Sequence, residues 1–324
     1  MKETQTFRKY LLEEFYDDYR EGEISRRTFI RRVAFLTGSM AATIAAMSAV
    51  GCQPIELPAA TEPMPTDAPV AEQQTIPPTS VPPSAAQSPF SVAADDPDVA
   101  GSDVTFASGS DEIMGYLVRP AAEGLYPAIL VCHENRGLNE HIRDVARRFA
   151  KNGYVALALD LLAREGGTAA HDRDAVPALL TDAGADRHTA DFIAAADYLQ
   201  TLEYVDGERL GMTGYCFGGG ITWRVATALP TLKAAIPFYG PAPELDQVPN
   251  INAAIFGVYA EQDERINGGI EPLEAALEAA GKTYQITIYP GVNHAFHNDT
   301  GARYVEEQAT QAWEDTLAWF AEYV

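Results

Sequence analysis

Residues 98–324 read as an α/β domain: a doubly wound, mostly parallel sheet with helices on both faces. Three observations predict it. Short apolar runs alternate with helix-length segments, and that alternation calls for parallel strands joined by helical crossovers. Several runs, such as 128–132 and 154–159, are almost wholly apolar, as strands covered on both faces must be. The residues able to do chemistry fall just after such runs, where open α/β sheets collect function.

The elements follow in order. Residues 104–106 and 113–118 predict an opening pair of strands, and 128–132 a buried third strand. A helix over 142–152 is stopped by Gly153, and 154–159 forms the next strand. A long Ala-rich helix covers 186–202. Strand 210–213 leads to helix 218–229, then strands 234–238 and 253–259. Helix 271–280, strand 283–289 and a closing helix over 303–323 complete the domain. No second linker interrupts it.

The first 97 residues read as an address and a tether. Ser25-Arg26-Arg27-Thr28-Phe29-Ile30-Arg31-Arg32 precedes an uncharged, small-residue-rich run over 33–50. A twin arginine before such a weakly apolar run resembles a bacterial twin-arginine export signal, a route for folded proteins. Gly51-Cys52 resembles a lipoprotein cleavage site, at which Cys52 is lipidated and becomes the new N-terminus, although Ala49 stands where leucine is more usual. The competing reading is an uncleaved anchor, but 18 residues barely span a bilayer. Residues 1–51 are thus expected to be an export signal. Residues 52–97, rich in Pro, Ala, Thr, Ser and Gln, are expected to be a linker that cannot bury a core. A helical-looking stretch over 7–19 lies ahead of the signal with no purpose legible in the sequence.

The formal charge is −23, and residues 1–51 are near neutral with 8 basic and 7 acidic side chains. The acidity therefore belongs to the rest of the chain. Such a surface repels nucleic acid and anionic headgroups, leaving a lipid on Cys52 as the expected membrane contact. Three cysteines, Cys52, Cys132 and Cys216, make no disulfide framework.

Gly214-Tyr215-Cys216-Phe217-Gly218 lies between strand 210–213 and helix 218–229. This is a nucleophile-elbow pattern with cysteine in the serine position. A sharp strand-to-helix turn strains the nucleophile, and flanking glycines remove side chains that would clash. The turn aims a helix N-terminus at Sγ, which favours thiolate. It also directs the Phe217 N–H toward the oxygen that gains charge during attack. The competing reading is a buried structural cysteine between packing glycines. Two further signals weigh against it. Ala260-Glu261-Gln262-Asp263 follows strand 253–259, and Asn293-His294 follows strand 283–289. Nucleophile, acid, histidine is the chain order of α/β-hydrolases. His294 would take the thiol proton and Asp263 would fix its tautomer, with Glu261 and Glu264 as neighbouring alternatives for the acid. After the third strand, Cys132-His133-Glu134-Asn135-Arg136-Gly137 is the loop expected to supply the second oxyanion donor, the Asn135 N–H. Glu134 and Arg136 read either as a surface ion pair of little worth or as functional groups.

The cysteine elbow, the glutamate after the third strand, and Gly153-Tyr154 followed by Asp160-Leu161-Leu162-Ala163-Arg164 resemble the dienelactone hydrolase family over residues 100–324. The resemblance implies an α/β-hydrolase fold. It implies cleavage of a small lactone or ester through a thioester on Cys216, without a cofactor. It also implies that Glu134 pairs with the resting thiol, swings away when substrate binds, and takes the thiol proton. In the family an arginine shortly after the histidine helps to hold the substrate carboxylate and pair the glutamate. Here that stretch reads Ala295-Phe296-His297-Asn298. Arg136 is expected to supply the missing charge, with Asn298 and Tyr215 as further substrate contacts and Arg173 and Arg187 as weaker candidates.

Other readings are set aside on chemical grounds. A metal site from His133, Glu134, His294 and His297 lacks typical ligand spacing. A non-catalytic binding module would be expected to lose a triad member, and all three are present. The nearest alternative is a general carboxylesterase or thioesterase for small acyl esters. The expected partner is a small-molecule lactone or ester, and the expected state a monomer or small homo-oligomer.

Overall fold

A computed structural model of the chain describes residues 2–39, 42, 43, 45 and 88–324. Cys52 and most of the stretch read as a linker lie outside the described residues. Strands β1 (Val99–Ser108) and β2 (Asp111–Pro120) form an antiparallel pair at one edge. The others are β3 (Tyr126–Cys132), β4 (Val155–Asp160), β5 (Val205–Tyr215), β6 (Ala234–Phe238), β7 (Ala254–Ala260) and β8 (Tyr284–Tyr289). They build one sheet in the order β1-β2-β4-β3-β5-β6-β7-β8. β2 meets β4 antiparallel, and every later pairing is parallel.

Burial explains the apolar runs. Every residue of β7, and all of β3 after Tyr126, is buried, because helices cover both faces. Helix α3 (Glu140–Lys151) starts where the Asn139 side chain caps the Ile142 N–H and ends before Gly153, whose φ is 89°. It shares a face with the closing helix Glu306–Tyr323: Phe149 packs on Trp313 and Phe320 at ring distances of 4.7 and 5.8 Å. Helices α4 (Val176–Ala183) and α5 (Ala185–Gln200) precede β5, and α6 (Phe217–Ala228) follows it. A short α7 (Glu264–Asn267) and α8 (Ile270–Ala279) follow β7, so the closing helix is α9.

The largest departure from the sequence reading lies at the N-terminus. Helices α1 (Lys2–Arg20) and α2 (Arg26–Thr37) form a hairpin that packs on the domain. Leu11, Phe15, Phe29 and Val33 are fully buried or nearly so, in one cluster with Ala178 of α4, Ile266 of α7 and Ile270 of α8. Arg303, expected to open the closing helix, instead bonds Glu21 of the hairpin at 2.8 Å, and α9 begins three residues later.

Candidate active site

β5 ends at Tyr215 and α6 begins at Phe217, leaving Cys216 in the turn between them at φ 58°, ψ −116°. A Cβ on Gly214 would lie 2.3 Å from the Gly218 carbonyl oxygen, and one on Gly218 would lie 2.5 Å from that of His133. The turn therefore closes only with glycine at both positions, and it presses against the loop after β3. Phe217 and Asn135, the expected oxyanion donors, thus belong to adjoining segments.

The acid and the histidine arrive from the next strand ends. Asp263 follows β7 and caps α7, its Oδ1 accepting from the Ile266 N–H at 3.4 Å. His294 follows β8, and its Nδ1 lies 2.5 Å from Asp263 Oδ2. Both side chains are buried. The two alternative acids are exposed, and Glu261 instead accepts from the Gly291 N–H at 2.7 Å. Cys216, Tyr239 and Ala295 are the non-glycine residues at positive φ among the described residues. All three are at the site: Ala295 adjoins His294, and the Tyr239 ring lies 4.9 Å from the imidazole. Such strain costs of order 1–3 kcal/mol per residue and persists only where surrounding packing over-determines it.

The electrostatics suit a proton-transfer pair. Burial alone would raise Asp263, but the imidazole beside it holds the carboxyl below its usual range. Burial opposes charge on His294 too, yet Asp263 and the Cys216 sulfur raise it well above an ordinary histidine. The Cys216 thiol is pushed up, first by burial and then by the Glu14 carboxylate, with His294 pulling the other way.

The sequence profile of the dienelactone hydrolase family matches residues 113–324. The chain belongs to the dienelactone hydrolase family. A Salmonella typhi protein provisionally named carboxymethylenebutenolidase is 36% identical over 231 residues, covering 67% of this chain and 85% of its own. An Escherichia coli K12 protein of the same name is 35% identical over 244 residues, covering 71% and 89%. The crystal structure of a provisionally named dienelactone hydrolase of Klebsiella pneumoniae is 35% identical with TM-score 0.65, covering 69% of this chain and 99% of that one. The chain is accordingly a hydrolase that acts on esters, on an α/β-hydrolase fold.

Several residues do not stand where the family resemblance implied. Glu134 is buried, but it does not meet the thiol. Its Oε2 accepts from Asn298 Nδ2 at 2.7 Å, and its Oε1 is buried without a hydrogen-bond partner. The carboxylate on the thiol is Glu14 of α1, with both oxygens 3.6 Å from Sγ. Asn135 Nδ2 donates to the same carboxylate, and the Tyr10 hydroxyl lies 3.5 Å from Sγ. Arg136 does not pair with Glu134; its Nε donates to Asn135 Oδ1 at 3.0 Å. Arg136 and Arg173 line the same cavity, and the charge of Arg136 lowers the pKa of Arg173. Arg187 lies elsewhere, forked onto Glu165 at 2.7 and 3.1 Å. Tyr215 is fully buried, 4.7 Å from the Phe238 ring and 5.3 Å from that of His297. It packs beneath the elbow and does not line the cavity, because the strand pleat turns it inward.

The cavity has a volume of about 480 Å³. Cys216, His294, Glu134 and Asn298 form its base, and Glu14, Asp18 and Arg32 of the hairpin roof it. Among the described residues, one trio of metal-capable side chains converges: Glu14, Cys216 and His294, with ligand atoms within 4.8 Å of one another. The set of His133, Glu134, His294 and His297 does not. His133 Nδ1 sits 2.6 Å from the Glu134 carbonyl oxygen, and its Nε2 accepts from the Leu161 N–H at 3.4 Å. Sequence reasoning missed Glu14 and Tyr10. The available signal was the spacing of Leu11 and Phe15, four apart on a helical face, which announces a buried face without naming what it covers.

Proposed function

We propose that the chain cleaves a small lactone or ester through Cys216, His294 and Asp263, with a thioester on Cys216 as intermediate. The observation that carries this reading is the 2.5 Å contact of Asp263 with His294 beside a cysteine strained at a strand-to-helix elbow. His294 Nε2 takes the thiol proton as Sγ attacks the carbonyl carbon. The N–H groups of Phe217 and Asn135 hold the resulting oxyanion. Its collapse breaks the ester C–O bond, and the imidazolium protonates the departing alkoxide. Water, deprotonated by His294, then opens the thioester and releases the acid. Glu134, held by Asn298 at rest, must leave that amide before it can accept the thiol proton. Arg136 and Arg173 at the cavity favour a substrate that bears its own carboxylate, which supports a dienelactone-like ester over a neutral acyl ester. Mass spectrometry of protein quenched in acid during turnover of a slow ester tests the mechanism. An acyl adduct on the Cys216 peptide is expected; modification of a different residue, with Cys216 clean, would reject it.

We further propose export through the twin-arginine route with lipidation at Cys52, the folded domain acting alone or as a small homo-oligomer. Arg26 and Arg27 stand exposed on the first turn of α2, and no helix among the described residues is long and apolar enough to cross a membrane. Arg26→Lys with Arg27→Lys is expected to trap precursor in the cytoplasm, and Cys52→Ala to free the domain from membranes. Fractionation that shows neither change defeats the signal.

A further inference from the structure

We propose that in the uncleaved chain the α1–α2 hairpin is an inhibitory plug, docked across the mouth of the Cys216 cavity with Glu14 seated on the thiol. The inference rests on Cys216 being the reactive group. Three sets of observations support it.

The first is occupancy. A substrate carbonyl must come within about 3–3.5 Å of the nucleophile and the oxyanion donors to react. That space is held by the Glu14 carboxylate, 3.6 Å from Sγ through both oxygens, and by the Tyr10 hydroxyl at 3.5 Å. Asn135, whose backbone N–H is the expected oxyanion donor, directs its side-chain amide to Glu14. The thiol donates to this carboxylate, and the His294 imidazole that must take its proton stands in the same cluster, with ligand atoms of the three groups within 4.8 Å of one another. The docked hairpin thus blocks the acyl position and offers the thiol a second acceptor beside its base.

The second is complementarity across the contact. The acidic face of α1 meets the cationic rim. Asp18 lies 2.9 Å from Arg303 and 3.9 Å from Arg136, and Asp17 lies 3.6 Å from Arg265. The basic residues of the hairpin meet acids of the α4 region: Arg32 on Asp174 at 3.0 Å, Arg8 on Asp182 at 2.6 Å, and Arg31 on Asp172. Beneath these pairs Phe15, Phe29 and Val33 are buried at 1%, 0% and 0% exposure. Apolar burial of that kind supplies the driving force, and the charges fix the register.

The third is dispensability. The family profile begins at residue 113, and 69% of this chain accounts for 99% of the Klebsiella structure. The hairpin lies outside that shared domain, so the family's chemistry does not require it. A carboxylate from an added segment, placed where the substrate must go, fits inhibition better than catalysis.

The test uses the full chain throughout. Four proteins are compared: the parent, Glu14→Ala with Tyr10→Phe, Arg31→Glu with Arg32→Glu, and Cys216→Ala. The first pair removes the groups on the thiol, and the second repels the hairpin from Asp172 and Asp174 without touching the elbow. Two rates are read: alkylation of Cys216 by iodoacetamide, by peptide mass spectrometry, and hydrolysis of p-nitrophenyl acetate. Undocking raises the fraction of competent protein, and both rates scale with that fraction. Both double variants are expected to raise both rates at least ~10-fold. Alkylation unchanged in both, with circular dichroism like the parent, would overturn the plug. A fall in hydrolysis for Glu14→Ala with Tyr10→Phe would overturn it too, because Glu14 would then be part of the machinery. Hydrolysis that survives in Cys216→Ala would instead remove the nucleophile assignment, while alkylation would still report whether the hairpin shields the thiol.

Discussion

Alanine at Cys216 is expected to lower ester hydrolysis at least ~10³-fold, since members of a catalytic triad act as a unit. No other nucleophile stands at the elbow: the neighbouring Tyr215 hydroxyl is turned into the core, and Cys132 is buried at the end of β3, its thiol pushed well above its usual range by burial and the Cys216 sulfur. Alanine tolerates the φ of 58° no worse than cysteine, so the fold should persist and the loss should fall on kcat. Serine should retain part of the activity, because His294 can still activate a hydroxyl. The check is kcat/KM for a p-nitrophenyl ester on proteins of matched circular dichroism. Turnover of Cys216→Ala comparable to the parent would reject the assignment.

Asp263→Asn is expected to cost about 10³–10⁴-fold in kcat while leaving KM nearly unchanged. The carboxylate performs two tasks at once. Oδ1 caps α7 through the Ile266 N–H, and Oδ2 accepts from His294 Nδ1. Asparagine has one acceptor oxygen. If the cap keeps it, the amide NH₂ faces Nδ1, and the ring proton moves to Nε2, the nitrogen that must be free to accept from the thiol. The same change removes the charge that raises His294, so the imidazolium should deprotonate at lower pH in the variant. Nitrogen-15 NMR of the imidazole reads both effects directly. An unaltered tautomer, with turnover within tenfold of the parent, would leave Asp263 a helix cap only.

The strands were legible because burial on both faces demands apolar residues at consecutive positions. The run at 234–238 coincides with β6 (Ala234–Phe238), and 128–132 falls within β3. The contact of Asp263 with His294 was legible for a related reason: the two follow strand ends, and parallel strands bring their carboxyl ends to one edge. What stayed hidden depended on contacts distant in sequence. Glu14 and Cys216 are 202 residues apart, and no local period encodes that meeting. The resting partner of Glu134 was hidden too. Asn298 holds that carboxylate through its amide, across 164 residues of sequence that no local pattern connects. Helix α4 (Val176–Ala183) escaped notice because eight residues carry too little periodicity to separate a helix from a loop.

Residues 38–87 join the hairpin to the domain it covers. Covalent attachment makes the docking unimolecular, so the degree of closure is independent of protein concentration. Joining two binding groups in one chain typically confers an effective concentration of order 1 mM. A hairpin released at ~1 μM protein must rebind at a roughly 10³-fold lower concentration. A contact too weak to hold a free peptide can therefore keep an attached one seated, and a single cut between Thr37 and Ser88 turns a stable closure into one that dilution undoes. Nothing at the active site has to change for that switch to operate.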